Sequence, residues 1–268
     1  MGPEDGAGTR AENDAMLHLV AALASRERPA VVLSGAGISV SSEIPAFRDS
    51  DGLWARYDPM EYATIEAFWA DPEKVWQMLW ELDAVLEAAE PNPAHHAIAQ
   101  LQRLGVLATV ITQNVDALHQ AAGTRDVVEL HGSRRSLSCL GCGRARSRDE
   151  MVAETRRGEV PRCRACDGWL KPDVVFFGEQ LPAEALHRAE RAVRGCDDLL
   201  VVGTAAEVTP AASLPGIARG AGARIWEINP EPALREAEHI MRPAQLALPE
   251  LVDRLRERRK GDTDGDPG

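Results

Sequence analysis

The chain has 268 residues, 44% of them hydrophobic and 27% charged, enough apolar material to bury a sizeable core, which excludes pervasive disorder. Its net charge of −12, from 30 basic against 42 acidic residues, argues against nonspecific nucleic-acid binding and would tolerate basic, lysine-bearing partners. No run approaches the roughly 20 apolar residues of a membrane helix. The acidic, Gly-rich start lacks the order of a signal peptide, so a cytoplasmic location is expected.

In chain order, residues 1–12 and 258–268 are rich in Gly, Asp and Pro and read as disordered tails. Ala15, Met16, Leu19, Val20 and Leu23 fall at helical spacing. AVVLSG (30–35) then reads as a buried strand ending in glycine, and VLATVITQN (106–114), DVVEL (126–130), DLLVVG (198–203) and ARIWEI (223–228) repeat the pattern. Helical segments such as 93–104 and 185–195 separate most of them. Strand–helix alternation predicts an α/β fold with a mostly parallel sheet covered on both faces. Two segments break the rhythm: residues 53–92, with Trp54, Phe68, Trp69, Trp76 and Trp80, read as a helical insert, and 133–175 as a small inserted module.

That module carries Cys139-x-x-Cys142 and Cys163-x-x-Cys166, with 20 residues between the pairs. Each knuckle sets two thiolates on one side of a tight turn, and two knuckles complete a tetrahedron for zinc. Four thiolates leave no position for a catalytic water, so one structural zinc per chain is expected. Cys196 reads as an inert residue at a helix end.

Ligand-site candidates gather at the ends of predicted strands, where open α/β sheets place them. Gly35-Ala36-Gly37-Ile38-Ser39 follows the first strand, and its small residues would admit a pyrophosphate, although the third glycine of a dinucleotide fingerprint is absent. In Ala46-Phe47-Arg48 the arginine would pair with phosphate and the phenylalanine would shield a reactive sugar carbon. Thr112-Gln113-Asn114-Val115-Asp116 offers an amide and a carboxylate for a carboxamide and ribose hydroxyls, or a helix N-cap at one of them. Gly203-Thr204-Ala205 and Asn229-Pro230-Glu231 either meet a nucleoside or are ordinary turns. Of seven histidines, His95 and His96 lie in a helical stretch, expected to face solvent or a neighbouring helix, whereas His131 ends a strand and precedes a glycine. An imidazole with a pKa near 6.5 suits a general base at neutral pH.

Taken together, GAGIS, IPAFR, TQNVD, His131-Gly132, the two CxxC knuckles, KPDVVFFGE, VVGT and INPEP resemble the sirtuin family from about Ala30 to Leu251. The resemblance implies a Rossmann-like NAD-binding domain (13–52, 93–132 and 176–256), a helical insert forming cofactor loop and acyl pocket (53–92), and a zinc-ribbon domain (133–175). It implies NAD as co-substrate and acylated lysines of proteins as partners, with no nucleic acid, no membrane and a monomeric state expected. Gly35, Ala36, Gly37 and Arg48 would line the phosphates and Phe47 the nicotinamide ribose. Gln113, Asn114, Val115 and Asp116 would line the ribose and nicotinamide pocket. Gly203, Thr204, Ala205, Asn229, Pro230 and Glu231 would reach the adenosine half, with Ala244 bordering the adenine. Val175, Phe177, Gly178 and Glu179 would form the strand that pairs with a substrate peptide. Sirtuins that remove acidic acyl groups carry a Tyr-x-x-Arg pair; Leu79 and Leu82 occupy its places here and imply a preference for neutral acyl groups.

The family mechanism then has the acyl oxygen displace nicotinamide from C1′ of the ribose, with His131 removing a proton from the ribose diol. The products are nicotinamide, free lysine and acyl-ADP-ribose. Several residues depart from the family pattern: Glu43 stands at a usual glycine, Ala46 at a frequent aspartate, Asp49 at a common glycine, Ala205 at a serine, and Arg242 where Gly-Pro-Ala is common. Mono-ADP-ribosyl transfer or NAD hydrolysis through the same cationic sugar is the alternative. A Rossmann oxidoreductase lacks a candidate residue for nicotinamide C4 chemistry. The net charge and the intact histidine speak against a zinc-ribbon binding module.

Overall fold

The computed structural model describes residues 10–45 and 56–264, with no side chains described beyond 261. Phe47 and Arg48, the segment from Ala46 to Trp54, and most of the expected tails lie outside the described residues. A six-stranded parallel sheet runs in the order β3-β2-β1-β7-β8-β9. Its strands are β1 (Ala30–Ser34), β2 (Leu107–Thr112), β3 (Val127–Glu129), β7 (Asp198–Val202), β8 (Arg224–Ile228) and β9 (Glu238–Ile240). β1 is buried along its whole length, as its unbroken AVVLS run demands of a central strand with both faces covered. β9 is three residues long, too short to announce itself by pattern.

Helices α1 (Arg10–Ser25), α5 (Pro93–Arg103) and α10 (Ala244–Asp264) cover one face, burying Leu19, Leu23, Ile98, Leu101, Leu248 and Leu251 against the sheet. The other face is covered by α8 (Ala183–Arg194) and α9 (Leu214–Gly220). α1 starts at Arg10 and α10 reaches Asp264, so parts of both segments read as disordered are helical. Strong helix formers from Arg254 to Lys260 extend the last helix, and Arg259 bonds the Leu104 carbonyl at 2.9 Å.

Two excursions leave this frame. Between β1 and α5 lie α2 (Pro59–Tyr62), α3 (Ile65–Ala70) and α4 (Pro72–Ala88), whose N-caps Asp58, Thr64 and Asp71 each accept a backbone N–H. After β3 comes a second sheet, ordered β5-β4-β6, from β4 (Gly132–Cys139), β5 (Ala145–Ser147) and β6 (Leu170–Val174), with α7 (Arg148–Glu154) beside it. The two excursions share one core: Phe68, Trp76 and Trp80 of the helical part pack with Leu137, Met151 and Leu170 of the cysteine-bearing part. The Trp76 indole N–H donates to the Leu170 carbonyl at 3.0 Å and that of Trp80 to the Glu159 carbonyl at 2.9 Å. Among the described residues no helix is long and apolar enough to cross a membrane.

Candidate active site

A cavity of about 1230 Å³ opens where β1, β2, β7 and β8 end, and continues between α4 and the second sheet. It exceeds the roughly 300–1,000 Å³ of a site for one small ligand, so it has room for two. Among the residues lining it are Gly35, Ala36, Gly37, Gln113, Asn114 and Val115. His131, Gly203, Thr204, Ala205, Asn229, Pro230 and Glu231 also line it, as do Leu79, Leu82 and Val175–Glu179. Asp116 and Ala244 do not. Ala244 is 5% exposed at the start of α10 and packs into the core.

The floor is built where two glycine turns meet. Gly37 N–H donates to the Gly203 carbonyl at 2.8 Å and Gly35 N–H to that of Val202 at 3.1 Å. A Cβ on Gly37 would lie 2.9 Å from Gly203 Cα, and one on Gly203, whose φ is +62°, would lie 2.3 Å from Ile38 N. The glycines are therefore required first for backbone-to-backbone packing. The N–H groups of Gly35 and Gly37 are engaged within the fold, unlike the simple phosphate cradle read from the sequence.

Behind the floor, Ser39 donates its hydroxyl to Asp116 at 2.7 Å, and Asn114 donates its amide to Gly35 O at 3.2 Å and to Ser39 Oγ at 3.1 Å. Asp116 also accepts Leu118 N–H at 2.9 Å, so both of its oxygens hold the turn together. Ser39 was visible in the sequence only as a motif letter; its burial and its three side-chain partners, Asp116, Asn114 and His95, are set by tertiary contact. Of the two surroundings expected for His95 the structure gives the helix neighbour: it is fully buried, its ring capping α5 by accepting Asn92 N–H at 3.3 Å and packing edge-on against His119 of the short helix Leu118–Ala121. His96 is exposed. His119 drew no attention in the sequence, yet its Nε2 lies 2.9 Å from Ser34 Oγ in the same buried layer. Burial pushes His95 down to about 4 and His119 down to about 3.

His131 sits half-buried after β3, with Nδ1 2.8 Å from the Gln113 carbonyl. Burial lowers its pKa below the ordinary histidine value, and the bond to Gln113 opposes that in part. Gln113 in turn donates its amide to Thr204 Oγ1 at 3.0 Å, tying the β2 and β7 loops together. Asn229 donates to the Thr204 carbonyl at 3.1 Å and to buried Glu227 at 2.7 Å.

Beside the cavity, Val175 N–H donates to the His131 carbonyl at 2.8 Å, and Phe177 exchanges bonds with Ala63 and Ile65 at 2.9 and 3.0 Å. Glu179 accepts Phe176 N–H and pairs with buried Lys171 at 2.8 Å. Much of the segment read as a substrate strand is thus already anchored at its N–H groups. Among the departures, exposed Glu43 adopts a left-handed φ of 63°, a position glycine fills without strain, and Arg242 pairs with Glu250 at 2.5 Å. Asp49 lies outside the described residues.

Cys139, Cys142, Cys163 and Cys166 bring their sulfur atoms within 4.8 Å of one another, a donor set that fits one zinc. Gly168 leaves room for them, since a Cβ there would lie 3.0 Å from Cys139 Sγ. The N–H of Ala165, with burial opposing, holds the Cys163 thiol down at about 6. Cys196 lies apart and buried, donating to the Val193 carbonyl at 3.3 Å, and burial pushes it up to about 11.

The Sir2 family model matches residues 35–210. An NAD-dependent protein deacylase 2 of Archaeoglobus fulgidus is 45% identical over 243 residues, covering 89% of this chain and 96% of that one. A protein of the same name from Pyrobaculum aerophilum is 48% identical over 242 residues, with 89% and 96% covered. A solved Sir2 homologue in complex with NAD superposes with a TM-score of 0.84 at 43% identity, over 90% of this chain and 94% of that one. With the family model spanning both glycine turns, the histidine and the four cysteines, and relatives aligned along nearly nine-tenths of its length, this chain belongs to the Sir2 family.

Proposed function

We propose that the chain is an NAD-dependent protein lysine deacylase with neutral acyl groups as its preferred substrates, zinc serving only to stabilise the cysteine module. The observation that carries this reading is the placement of His131, which faces the cavity floored by the glycine turns and continued by the leucine-lined channel. NAD, when bound, supplies an electrophilic ribose carbon with nicotinamide as its leaving group. The residues of this chain bind and orient around that carbon. His131 Nε2 takes a proton from the ribose diol, because Nδ1 is committed to Gln113. Asn114, whose amide is held by Ser39 and Gly35, and Gln113, held by Thr204, would line the ribose and nicotinamide pocket, and Thr204 would reach the adenosine half. Apolar walls exclude water, which favours transfer of ADP-ribose to the acyl oxygen over hydrolysis. Acylated lysines of proteins are the partners in this reading, the enzyme acting as a cytoplasmic monomer.

The test is mass spectrometry after incubation with NAD and a panel of acylated peptides. Nicotinamide, free lysine and acyl-ADP-ribose are expected in equal amounts. Free ADP-ribose, or ADP-ribose attached to protein, in the absence of acyl-ADP-ribose would replace this reading with NAD hydrolysis or mono-ADP-ribosyl transfer.

A further inference from the structure

We propose that Glu227, sealed behind the cavity wall, is a positioning residue for the nucleotide. It turns the Asn229 amide so that only its oxygen is offered to a ligand, and that oxygen reads a hydroxyl of the adenosine ribose. This rests on the reading above, in which NAD binds with its adenosine half against the β7 and β8 loops.

Glu227 is 1% exposed near the end of β8 and does not itself line the cavity, whereas Asn229, Pro230, Glu231, Pro232 and Ala233 of the loop that follows all do. A carboxylate buried in a sheet needs donors for both oxygens, and that loop supplies them. Oε1 accepts the Ala233 N–H at 2.8 Å and the Asn229 amide at 2.7 Å, and Oε2 accepts the Leu234 N–H at 3.0 Å. On the neighbouring strand β9, His239 Nδ1 stands 2.9 Å from Oε2 without the alignment of a hydrogen bond.

A strap that merely closes the loop needs only the two backbone donors. The third contact goes to the side chain of a cavity-lining residue, and it fixes an orientation as well as a place. The Asn229 Nδ2 also donates to the Thr204 carbonyl at 3.1 Å. Carbonyl and carboxylate oxygens only accept, so the amide nitrogen is confined between them, and a flipped amide would set oxygen against oxygen on both sides. Oδ1 is the atom left over. It has no partner among the described residues and is not sealed from solvent, so a molecule in the cavity can reach it.

An amide oxygen suits a hydroxyl and opposes a phosphate or carboxylate oxygen. Ribose hydroxyls are the donors a dinucleotide brings to the end of a parallel strand. With Glu227 behind it, Asn229 holds one orientation before the ligand arrives, so binding has less to order.

The experiment titrates the protein calorimetrically with ADP-ribose and with two analogues, lacking the 2′- or the 3′-hydroxyl of the adenosine ribose. One analogue should bind wild type about tenfold more weakly than ADP-ribose, the worth of a hydrogen bond whose acceptor is left dry. In Glu227→Met, ADP-ribose itself should bind about tenfold more weakly, and the penalty for the missing hydroxyl should fall to less than half its wild-type size. Turnover should follow, with KM for NAD raised and kcat at saturating NAD within about twofold of wild type. Retained zinc and a cooperative melt establish that the variant is folded. Glu227→Asp, whose carboxylate is drawn back by one methylene, replaces it if it is not. No penalty for either hydroxyl in wild type, or a penalty that keeps more than half its size in the folded variant, overturns the role of Glu227 and leaves the deacylase reading standing. Folded wild type that binds no ADP-ribose overturns both.

Discussion

His131 Nδ1 lies 2.8 Å from the carbonyl oxygen of Gln113, and a carbonyl can only accept, so Nδ1 carries the proton and Nε2 keeps a free lone pair. The backbone at the end of β2 thereby selects the tautomer a general base needs. His131→Ala should lower deacylation by about 10²–10⁴-fold, the usual contribution of a general base, with zinc content retained. Activity within about tenfold of wild type would remove the histidine from that role. Because burial lowers the His131 pKa, the neutral, basic form persists below pH 6.5. The acidic limb of kcat/KM should accordingly have its midpoint below 6.5, and a midpoint above 7 would contradict it.

The cysteine cluster gives a metal prediction. One zinc per chain should be found by elemental analysis. Cys163→Ser should lose it and the protein's solubility, because structural zinc contributes to folding free energy. Cys196→Ser removes a thiol remote from the cluster and should do neither. Metal-free purified protein would sink the assignment.

Leu79 and Leu82 both line the cavity. Wild-type enzyme should cleave acetyl-lysine faster than succinyl-lysine, since a carboxylate among leucines loses several kcal/mol of solvation. Leu79→Tyr combined with Leu82→Arg should raise succinyl cleavage relative to acetyl. Faster succinyl cleavage by the wild type would show the register to be wrong.

The buried pair His95 and His119 makes stability depend on pH. In the unfolded chain both titrate near 6.5, whereas in the fold they are held down at about 4 and about 3. Between pH 6.5 and about 4 the unfolded state therefore binds more protons, and stability falls as pH falls. The loss at pH 5 relative to pH 7.5 is about 2 kcal/mol per histidine. Urea melts at the two pH values should reveal it, and His119→Gln should remove about half. An unchanged slope in that variant would exclude His119 as a source.

The largely apolar strands β1, β7 and β8 were legible from sequence because a doubly covered strand has few ways to be written. The four cysteines were legible because ligand spacing is local. His95 was not, since helical periodicity cannot say whether a polar ring faces water or folds back on its own N-cap and packs against a residue as distant as His119. Nor did the glycine motif disclose that Gly37 and Gly203 are pressed together, because nothing in GAG specifies its partner loop. The ion pairs of Asp83 with Arg134 and Arg148 join residues up to 65 apart in sequence, beyond the reach of any periodic signal.

The shared core of the two excursions bears on how such an enzyme can be re-engineered or diversify. Trp76 and Trp80 each donate an indole hydrogen to a main-chain carbonyl of the other excursion, so a graft of either segment from a relative brings half of a matched interface. Recombination boundaries that keep residues 56–92 and 132–175 together should yield folded hybrids, whereas exchanging one alone would strand two tryptophan donors and the apolar faces around them. The inherited unit is then a pair of segments far apart in the gene, which carry the two walls of the channel together.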